Sequence, residues 1–130
     1  MSEPSTEHDV IARQIVDSAF AVHSTLGPGL LESVYEQCLG YELEANNLAA
    51  QRQVALPVLY RNLRIDGGFR MDMVVGGLVL VEIKAVERIL PIHEAQLLTY
   101  LRLSGLRIGL LINFNVTLIK HGIRRLINSR

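Results

Sequence analysis

Residues 69–86 read FRMDMVVGGLVLVEIKAV and place three charged side chains inside the most strand-like part of the chain. A Gly-Gly pair divides the stretch into two apolar runs, which predicts two strands joined by a tight hairpin turn. Asp72 lies in the first run, and Glu82 and Lys84 lie in the second. Because charged side chains are rarely buried unless they are paired or bind a metal ion, this hairpin is where we expect the chemistry of the protein.

The spacing of these residues predicts that they lie close together. Side chains two residues apart on a strand point the same way, so Glu82 and Lys84 share a face, and pairing across the turn puts Asp72 near Glu82. Two neighbouring carboxylates repel each other unless a cation lies between them, and hard oxygen ligands without a Cys or His cluster favour Mg²⁺ or Mn²⁺. A lysine beside such a metal suits phosphodiester hydrolysis. The alternative is a structural ion pair between Lys84 and one carboxylate, which is a weak source of stability.

The composition indicates one globular domain. The chain has 130 residues, of which 49% are apolar and 20% are charged, which argues against global disorder. No apolar run reaches the ~18–20 residues that span a bilayer, the acidic N-terminus is unlike a secretory signal, and the single Cys38 cannot form an internal disulfide. We therefore expect a cytoplasmic protein without membrane association, with a flexible tail over residues 1–8 and one domain over residues 9–130.

The formal net charge is +0, but the two signs are separated along the chain. Residues 1–44 contain eight acidic residues and one basic residue, a balance of −7, and the rest contains twelve basic and five acidic residues, a balance of +7. This asymmetry fits a basic face for a polyanion and equally fits ordinary solvated surface. The neutral total argues against strong nonspecific binding to nucleic acid.

Hydrophobic periodicity predicts the order helix, helix, three strands, helix, strand, which is an α/β sandwich with a central mixed sheet. Helices are predicted at residues 9–25, 30–47 and 92–104. Strands are predicted at residues 52–60, 69–75, 78–86 and 106–114, with a turn at 61–68. The continuously apolar run at 106–114 is typical of a buried strand. The pattern over residues 116–128 is ambiguous, and Gly122 favours a further strand pair over a helix.

Three motifs, in this order, resemble those of the PD-(D/E)XK nuclease superfamily. GLLESVY at 29–35 resembles the hallmark of its small bacterial and archaeal G-x-x-E-x-x-Y proteins. MDMVVGGLVLVEIK at 71–84 resembles the superfamily signature, with Met in place of the signature proline. QLLTY at 96–100 resembles the Q-x-x-x-Y motif on the following helix of one branch. The resemblance covers nearly the whole chain from about residue 9.

This resemblance implies a restriction-endonuclease-like fold, in which helices flank the central mixed sheet. It implies that Asp72 and Glu82 are metal ligands for Mg²⁺ or Mn²⁺, with the backbone carbonyl of Ile83 as a third ligand. It also implies that Lys84 is the catalytic lysine.

Three further residues are implied to line the same site, and each has a simpler alternative. Gln96 and Tyr100 share one helical face and would contact the phosphate, or they form an ordinary helix surface with the tyrosine packed on the sheet. Glu32 would be an additional acidic ligand or hold a water, or it simply stabilises the first turn of its helix through the helix dipole.

Weaker candidates lie elsewhere in the chain. Tyr35 fits the apolar stripe of its helix, so a core position is favoured over a catalytic one. His93 is favoured as a capping or surface residue over a proton carrier. Arg52 and Gln53 are expected to face the cleft. A basic group is either a phosphate-contact patch or a solvated end, and it comprises Lys120, His121, Arg124 and Arg125.

The function predicted first is that of a metal-dependent nuclease acting on DNA, with RNA as the other candidate polymer. The alternative is a catalytically weak or silent accessory module that binds nucleic acid or a protein partner, which the neutral charge and the absence of Trp favour mildly. A third hypothesis is an enzyme acting on another phosphate ester. A homodimer is expected, because residues 106–114 and the leucine-rich helix before them would offer apolar surface to cover.

Overall fold

A computed structural model describes residues 4–129, and three α-helices and seven strands are found in that part of the chain. The helices are α1 (Thr6–Leu26), α2 (Glu32–Ala45) and α3 (Pro91–Ser104). The strands are β1 (Ala50–Ala55), β2 (Val58–Tyr60), β3 (Leu63–Ile65), β4 (Arg70–Val75), β5 (Val79–Lys84), β6 (Ile108–Asn113) and β7 (Ile123–Ile127). A 3₁₀ helix over Ile119–Gly122 precedes β7. None of the described helices is both long enough and apolar enough to cross a membrane.

Five of the strands form one mixed sheet in the order β1-β4-β5-β6-β7. The β5–β6 pair is parallel, and the other pairs are antiparallel. One hydrophobic core lies between the sheet and helices α1 and α2, and a second lies between the opposite face and α3. The predicted α/β sandwich with a central mixed sheet is therefore confirmed.

Strand β6 is buried along its whole length, because it lies inside the sheet with helices over both faces. The expectation that residues 106–114 offer a surface for a second subunit is therefore wrong. A continuous apolar run is typical of a strand that is buried on both faces, and in this fold the run serves the core of the chain itself.

Helix α1 begins earlier than the sequence pattern indicated. The hydroxyl of Ser5 accepts a hydrogen bond from the backbone N–H of His8 (3.4 Å), and the His8 ring accepts one from the Ser5 N–H (3.1 Å). This exchange satisfies donors that a helix start leaves unpaired, so residues 6–8 belong to the first turn rather than to the tail expected over residues 1–8. Residues 1–3 of that expected tail lie outside the described residues.

The predicted strand over residues 52–60 is two strands. Pro57 has no N–H for a ladder, and the chain leaves the main sheet there, so β1 ends at Ala55 and β2 begins at Val58. The segment expected as a turn over residues 61–68 contains β3, which pairs with β2 through a turn in which Arg61 has a φ of 55°.

The predicted strand pair over residues 116–128 is wrong in part, because the segment forms one 3₁₀ turn and one strand, β7. Gly122 lies where the 3₁₀ turn meets β7, and it packs against the backbone of Asn113 at the end of β6. A Cβ at this position would collide with the Asn113 carbonyl oxygen, so the glycine is required by the close approach of two backbones.

We expect Gly122→Ala to destabilise the protein by about 3 kcal/mol, because backbone cannot move aside as a side chain can. Gly109→Ala in β6 is the matched control, since its Cβ would meet the end of the flexible Leu97 side chain at 2.8 Å. Urea denaturation should show a clearly larger decrease in the free energy of unfolding for Gly122→Ala than for Gly109→Ala. Equal decreases in the two variants would contradict this account of Gly122.

Candidate active site

Strands β4 and β5 separate next to the acidic residues of the hairpin. Backbone pairing between these strands ends at Met73 and Val81. Beyond that point, Glu82 Oε2 accepts a hydrogen bond from the backbone N–H of Asp72, and Asp72 Oδ2 accepts one from the backbone N–H of Ile83, each at 2.8 Å. The two carboxylates therefore take the place of the missing ladder bonds, and we call this point the fork.

Each of these carboxylates keeps a second oxygen for a ligand. Within residues 4–129, Asp72 Oδ1 and Glu82 Oε1 have no hydrogen-bond partner. The N–H and C=O of a strand residue point to the same edge, so the Ile83 carbonyl faces the gap into which its N–H donates. The fork thus offers two carboxylate oxygens and one carbonyl, which are hard ligands of the kind that Mg²⁺ and Mn²⁺ prefer.

The electrostatics of the fork favour a bound cation. Burial raises the pKa of Glu82 from 4.5 to about 8, and the neighbouring charge of Asp72 contributes to the rise. Burial also raises the pKa of Asp72, although the hydrogen bond from Ile83 opposes that rise. A divalent cation would remove the cost of holding two charged carboxylates together, so these residues fit the metal ion that the sequence predicted.

The fork does not supply a complete set of protein side-chain ligands. Among the described residues, no group of three or more His, Cys, Asp or Glu side chains is placed to hold a metal ion. The ligands available at the fork are the Asp72 and Glu82 carboxylates and the Ile83 carbonyl. Coordination would therefore be completed by water and phosphate oxygens, which is usual for Mg²⁺.

Lys84 lies two residues after Glu82 and so points to the same face of β5. Its side chain is half-buried, its backbone carbonyl accepts a hydrogen bond from Phe114 N–H at 2.9 Å, and its charge lowers the pKa of both fork carboxylates. Within residues 4–129, it forms no ion pair. The structural ion pair considered as an alternative is therefore not formed, and the ammonium group is available for a ligand.

Helix α2 contributes two acidic residues beside the fork. Glu32 is exposed in its first turn, and its carboxylate accepts a long hydrogen bond of 3.4 Å from the backbone N–H of Ala85. Glu36, one turn later, is buried and accepts hydrogen bonds from Arg52 Nε at 3.0 Å and Gln53 Nε2 at 2.8 Å. The negative charge of Glu36 raises the pKa of Asp72 and Glu82, so it belongs to the same electrostatic cluster.

The sequence analysis missed Glu36, although a signal was present. Leu39 and Leu43 follow it at intervals of three and seven residues, so Glu36 lies on the same inward-facing stripe of α2. A charged residue on the buried stripe of an amphipathic helix marks a position where a partner or a site is required.

These residues line an open cleft of about 410 Å³ between α2, β1 and the fork. Its lining comprises Glu32, Ser33, Glu36, Arg52, Gln53, Asp72 and Ile83. The expectation that Arg52 and Gln53 face the cleft is confirmed. Asp72 and Ile83 border this cleft, and Glu82 reaches the same gap through its hydrogen bond from the Asp72 N–H, from the β5 face that also carries Leu80 and Lys84.

Tyr100 lies near the fork on the α3 side. The residue is 8% exposed, and its ring makes an edge contact with Phe69, with centroids 6.4 Å apart. Burial raises the pKa of its hydroxyl, and the charges of Glu82 and Asp72 raise it further, which places Tyr100 within electrostatic reach of both carboxylates. Gln96 is exposed one turn earlier on α3, and its side chain makes no hydrogen bond within the described part of the chain, so its role stays a prediction.

Two of the weaker candidates have structural roles. Tyr35 is buried and stacks on Phe114 with centroids 4.6 Å apart, and its hydroxyl donates to the Gly27 carbonyl at 2.6 Å. The His93 ring accepts a hydrogen bond from the Leu90 N–H at 2.9 Å at the start of α3. A core role for Tyr35 and a capping role for His93, which were the favoured interpretations, are confirmed.

The basic group near the C-terminus lies away from the fork. Arg125 on β7 forms an exposed ion pair with Asp9 at 2.6 Å, and Arg124 donates to the backbone carbonyl of His121 at 3.2 Å. Strand β7 is the edge of the sheet opposite β1 and is separated from β5 by β6. This group therefore does not contribute to the cleft.

Comparison with known proteins gives one family. A family model described as the PD-(D/E)XK nuclease superfamily matches residues 9–126. The mixed five-stranded sheet between helices is the restriction-endonuclease-like fold expected for that match. No curated protein and no solved structure matches the chain.

We expect the metal-free protein to lose stability as the pH rises from about 5 to about 8. The pKa of Glu82 is about 8 in the folded chain and near 4.5 when unfolded, so the folded state binds more protons across this window and its stability falls as those protons are released. The raised pKa of Asp72 acts in the same direction. The free energy of unfolding in urea with a chelator should fall by on the order of 1–3 kcal/mol.

Glu82→Gln is the matched control, because glutamine still accepts the Asp72 N–H bond but does not titrate. Its stability should change less over the same pH range, and Mg²⁺ should restore stability at pH 8 only in the native protein. An identical pH dependence in the two proteins would contradict the assignment to Glu82.

Proposed function

Because the chain belongs to the PD-(D/E)XK nuclease superfamily, we propose that it is a metal-dependent nuclease that hydrolyses phosphodiester bonds in DNA. The observation that carries this proposal is the fork, where two desolvated carboxylates face one gap beside an ammonium group that forms no ion pair within residues 4–129. A protein that used Asp72 and Glu82 only for structure would not need Lys84 unpaired beside them. The arrangement instead matches the needs of phosphodiester hydrolysis.

In this proposal, Asp72, Glu82 and the Ile83 carbonyl hold Mg²⁺ or Mn²⁺. The bound ion supplies a water of lowered pKa and screens the phosphate charge. The hydrogen bonds from Asp72 N–H and Ile83 N–H fix the orientation of the carboxylates before substrate arrives, so no reorganisation is needed there. Lys84 assists water attack by stabilising the oxyanion that develops on the phosphate.

Three other residues receive proposed roles. Gln96 and Tyr100 would contact the phosphate from α3, a role that the electrostatic coupling of Tyr100 to the fork supports. Glu32 would hold a water or an additional ligand from α2, a role that its position on the cleft wall supports.

We further infer that the chain is one of the small G-x-x-E-x-x-Y proteins and acts in the cytoplasm. A homodimer or a protein partner is proposed to provide targeting, because contacts to phosphates position a protein without reading the base sequence. RNA is the alternative polymer substrate.

One observation favours the alternative of a catalytically weak or silent module. Acidic residues around the fork outnumber basic ones, with Glu32, Glu36, Asp72 and Glu82 against Arg52 and Lys84. A polyanion is repelled from such a site unless a cation is bound. Activity therefore depends on metal occupancy, and a site that binds metal weakly would leave a module with little or no cleavage activity.

We expect Mg²⁺ and Mn²⁺ to bind saturably to the native protein in isothermal titration, and binding to be lost in Asp72→Asn and Glu82→Gln. These variants remove one negative charge each while their amide oxygens can still accept the backbone hydrogen bonds of the fork. Loss of metal binding with an unchanged fold would assign the ligands. Absence of binding to the native protein, both alone and with DNA present, would overturn the metal site.

We expect Lys84→Met to reduce Mg²⁺-dependent cleavage of DNA by at least about 100-fold while metal binding is kept, because the lost ammonium acts on the developing oxyanion. Lys120→Met is the matched control, since Lys120 is the other lysine of the chain and is exposed on the 3₁₀ helix. If the native protein binds metal and DNA but cleaves neither DNA nor RNA, that result would support the accessory-module alternative.

A further inference from the structure

The wall of the cleft formed by β1 contains an arginine whose position is fixed by helix α2. Arg52 Nε donates to Glu36 Oε2 at 3.0 Å, and the arginine side chain is 41% exposed whereas the glutamate side chain is 9% exposed. The Arg52 Cδ lies against α2 at Gly40, where an added Cβ would approach it to 3.3 Å. The stem therefore lies along the helix, and the guanidinium is held at the cleft by a buried acceptor.

The rest of the guanidinium is free to bind a ligand. The planar guanidinium of arginine has five N–H donors, and only the Nε–H of Arg52 is used. Within residues 4–129, the two Nη groups have no hydrogen-bond partner, and the side chain as a whole is 41% exposed. Arg52 is also the one cation among the described residues that line the cleft. A guanidinium held rigidly at the edge of an acidic cleft suits a phosphate group, because its parallel N–H groups can donate to two phosphate oxygens.

Backbone strain next to Arg52 supports a functional role for this arrangement. Gln53 has a φ of 54°, in the left-handed region that glutamine rarely adopts. Consecutive residues on a regular strand point to opposite faces, so Arg52 and Gln53 would not both reach Glu36 in an undistorted β1. The left-handed turn lets both side chains satisfy the two oxygens of Glu36. Such strain is found where the surrounding structure must hold a site in place.

The strained residue is level with the fork. In the β1–β4 ladder, Gln53 falls between the pairs Arg52–Met73 and Val54–Met71, which is the level of Asp72. Arg52 thus borders the same cleft into which Asp72 opens. A polymer whose reacting phosphate lies at the fork would present a neighbouring phosphate to this wall.

We propose that Arg52, held by Glu36 and Gly40, is a phosphate-binding residue that anchors a non-reacting phosphate of the nucleic-acid backbone beside the fork. This proposal rests on the proposed function for the identity of the ligand. It assigns Glu36 and Gln53 as positioning residues, which act on the phosphate only through the guanidinium.

The test measures binding of a short DNA duplex at several salt concentrations in Ca²⁺, a hard cation with the same preference for oxygen ligands. We expect Arg52→Gln to weaken binding about tenfold and to reduce the slope of log affinity against log salt by about 0.9, as for one lost phosphate contact. Arg52→Lys should bind the duplex at least about threefold more weakly than the native protein does. An ammonium cannot pair with Glu36 and also offer a planar pair of N–H donors to the phosphate.

Arg13→Gln is the matched control for charge, since Arg13 is exposed on α1 and borders β6 and β7 rather than the cleft. Its affinity and salt slope should remain close to those of the native protein. Circular dichroism and urea denaturation establish that the Arg52 variants are folded, and Arg52→Lys keeps a charge beside Glu36 if Arg52→Gln does not fold.

The outcomes separate this proposal from the proposed function. The native protein could cleave DNA while both Arg52 variants keep its affinity for the duplex and its salt slope. That result would overturn the phosphate site and leave the nuclease proposal intact. If the native protein binds no DNA, the nuclease proposal fails, and titration of inorganic phosphate against the NMR signal of the Arg52 Nε–H decides the phosphate site. A saturable shift of that signal upholds it for another phosphate ester, and no shift overturns it.

Discussion

The structure depends on how two strands can separate inside a buried sheet without leaving backbone N–H groups unpaired. Buried backbone donors almost always have a partner, because an unpaired one costs about as much as a lost hydrogen bond. At the fork, Asp72 and Glu82 supply the acceptors, each bonded to the other strand. Two carboxylates are thereby held in a desolvated gap, which raises the pKa of both, most strongly that of Glu82. The same contacts that close the sheet thus create a place where a cation is favoured.

Strands β4 and β1 are both distorted at the level of Asp72. Met73 packs in the core beneath α1 and α2, whereas Met71, two residues away, packs in the core beneath α3. Residues two apart on a regular strand share a face, so β4 twists sharply at Asp72. In β1, the left-handed Gln53 makes the corresponding adjustment, and its side chain is then held by Glu36. Helix α2, β1 and the fork are therefore one unit, and the cleft is the space that this twist opens.

The sequence predicted the parts of this unit that follow from periodicity. Alternation placed Glu82 and Lys84 on one face, and the glycine turn placed Asp72 beside them. Periodicity did not predict the features that depend on distorted strands. These are the exchange of hydrogen bonds at the fork and the left-handed backbone at Gln53. The apolar run of β6 was correctly predicted as a buried strand, and only the added expectation of a dimer surface there was wrong, because the helices over both faces already cover it. Glu36 was within reach, since its place on the stripe of α2 is visible in the sequence.

The separation of charge along the chain takes on a different meaning in the fold. The acidic first part supplies Glu32 and Glu36 to the cleft, and the basic remainder supplies Arg52 to the cleft and Lys84 to the neighbouring fork, so the two signs meet at one site instead of forming two faces. Under the proposed function, a divalent cation must offset the acidic excess before a polyanion can enter. Metal and nucleic acid would then each raise the affinity of the other by the same factor, because linkage between two binding equilibria is reciprocal. The neutral net charge is consistent with this dependence, since it provides no general attraction that would bring nucleic acid to a metal-free site.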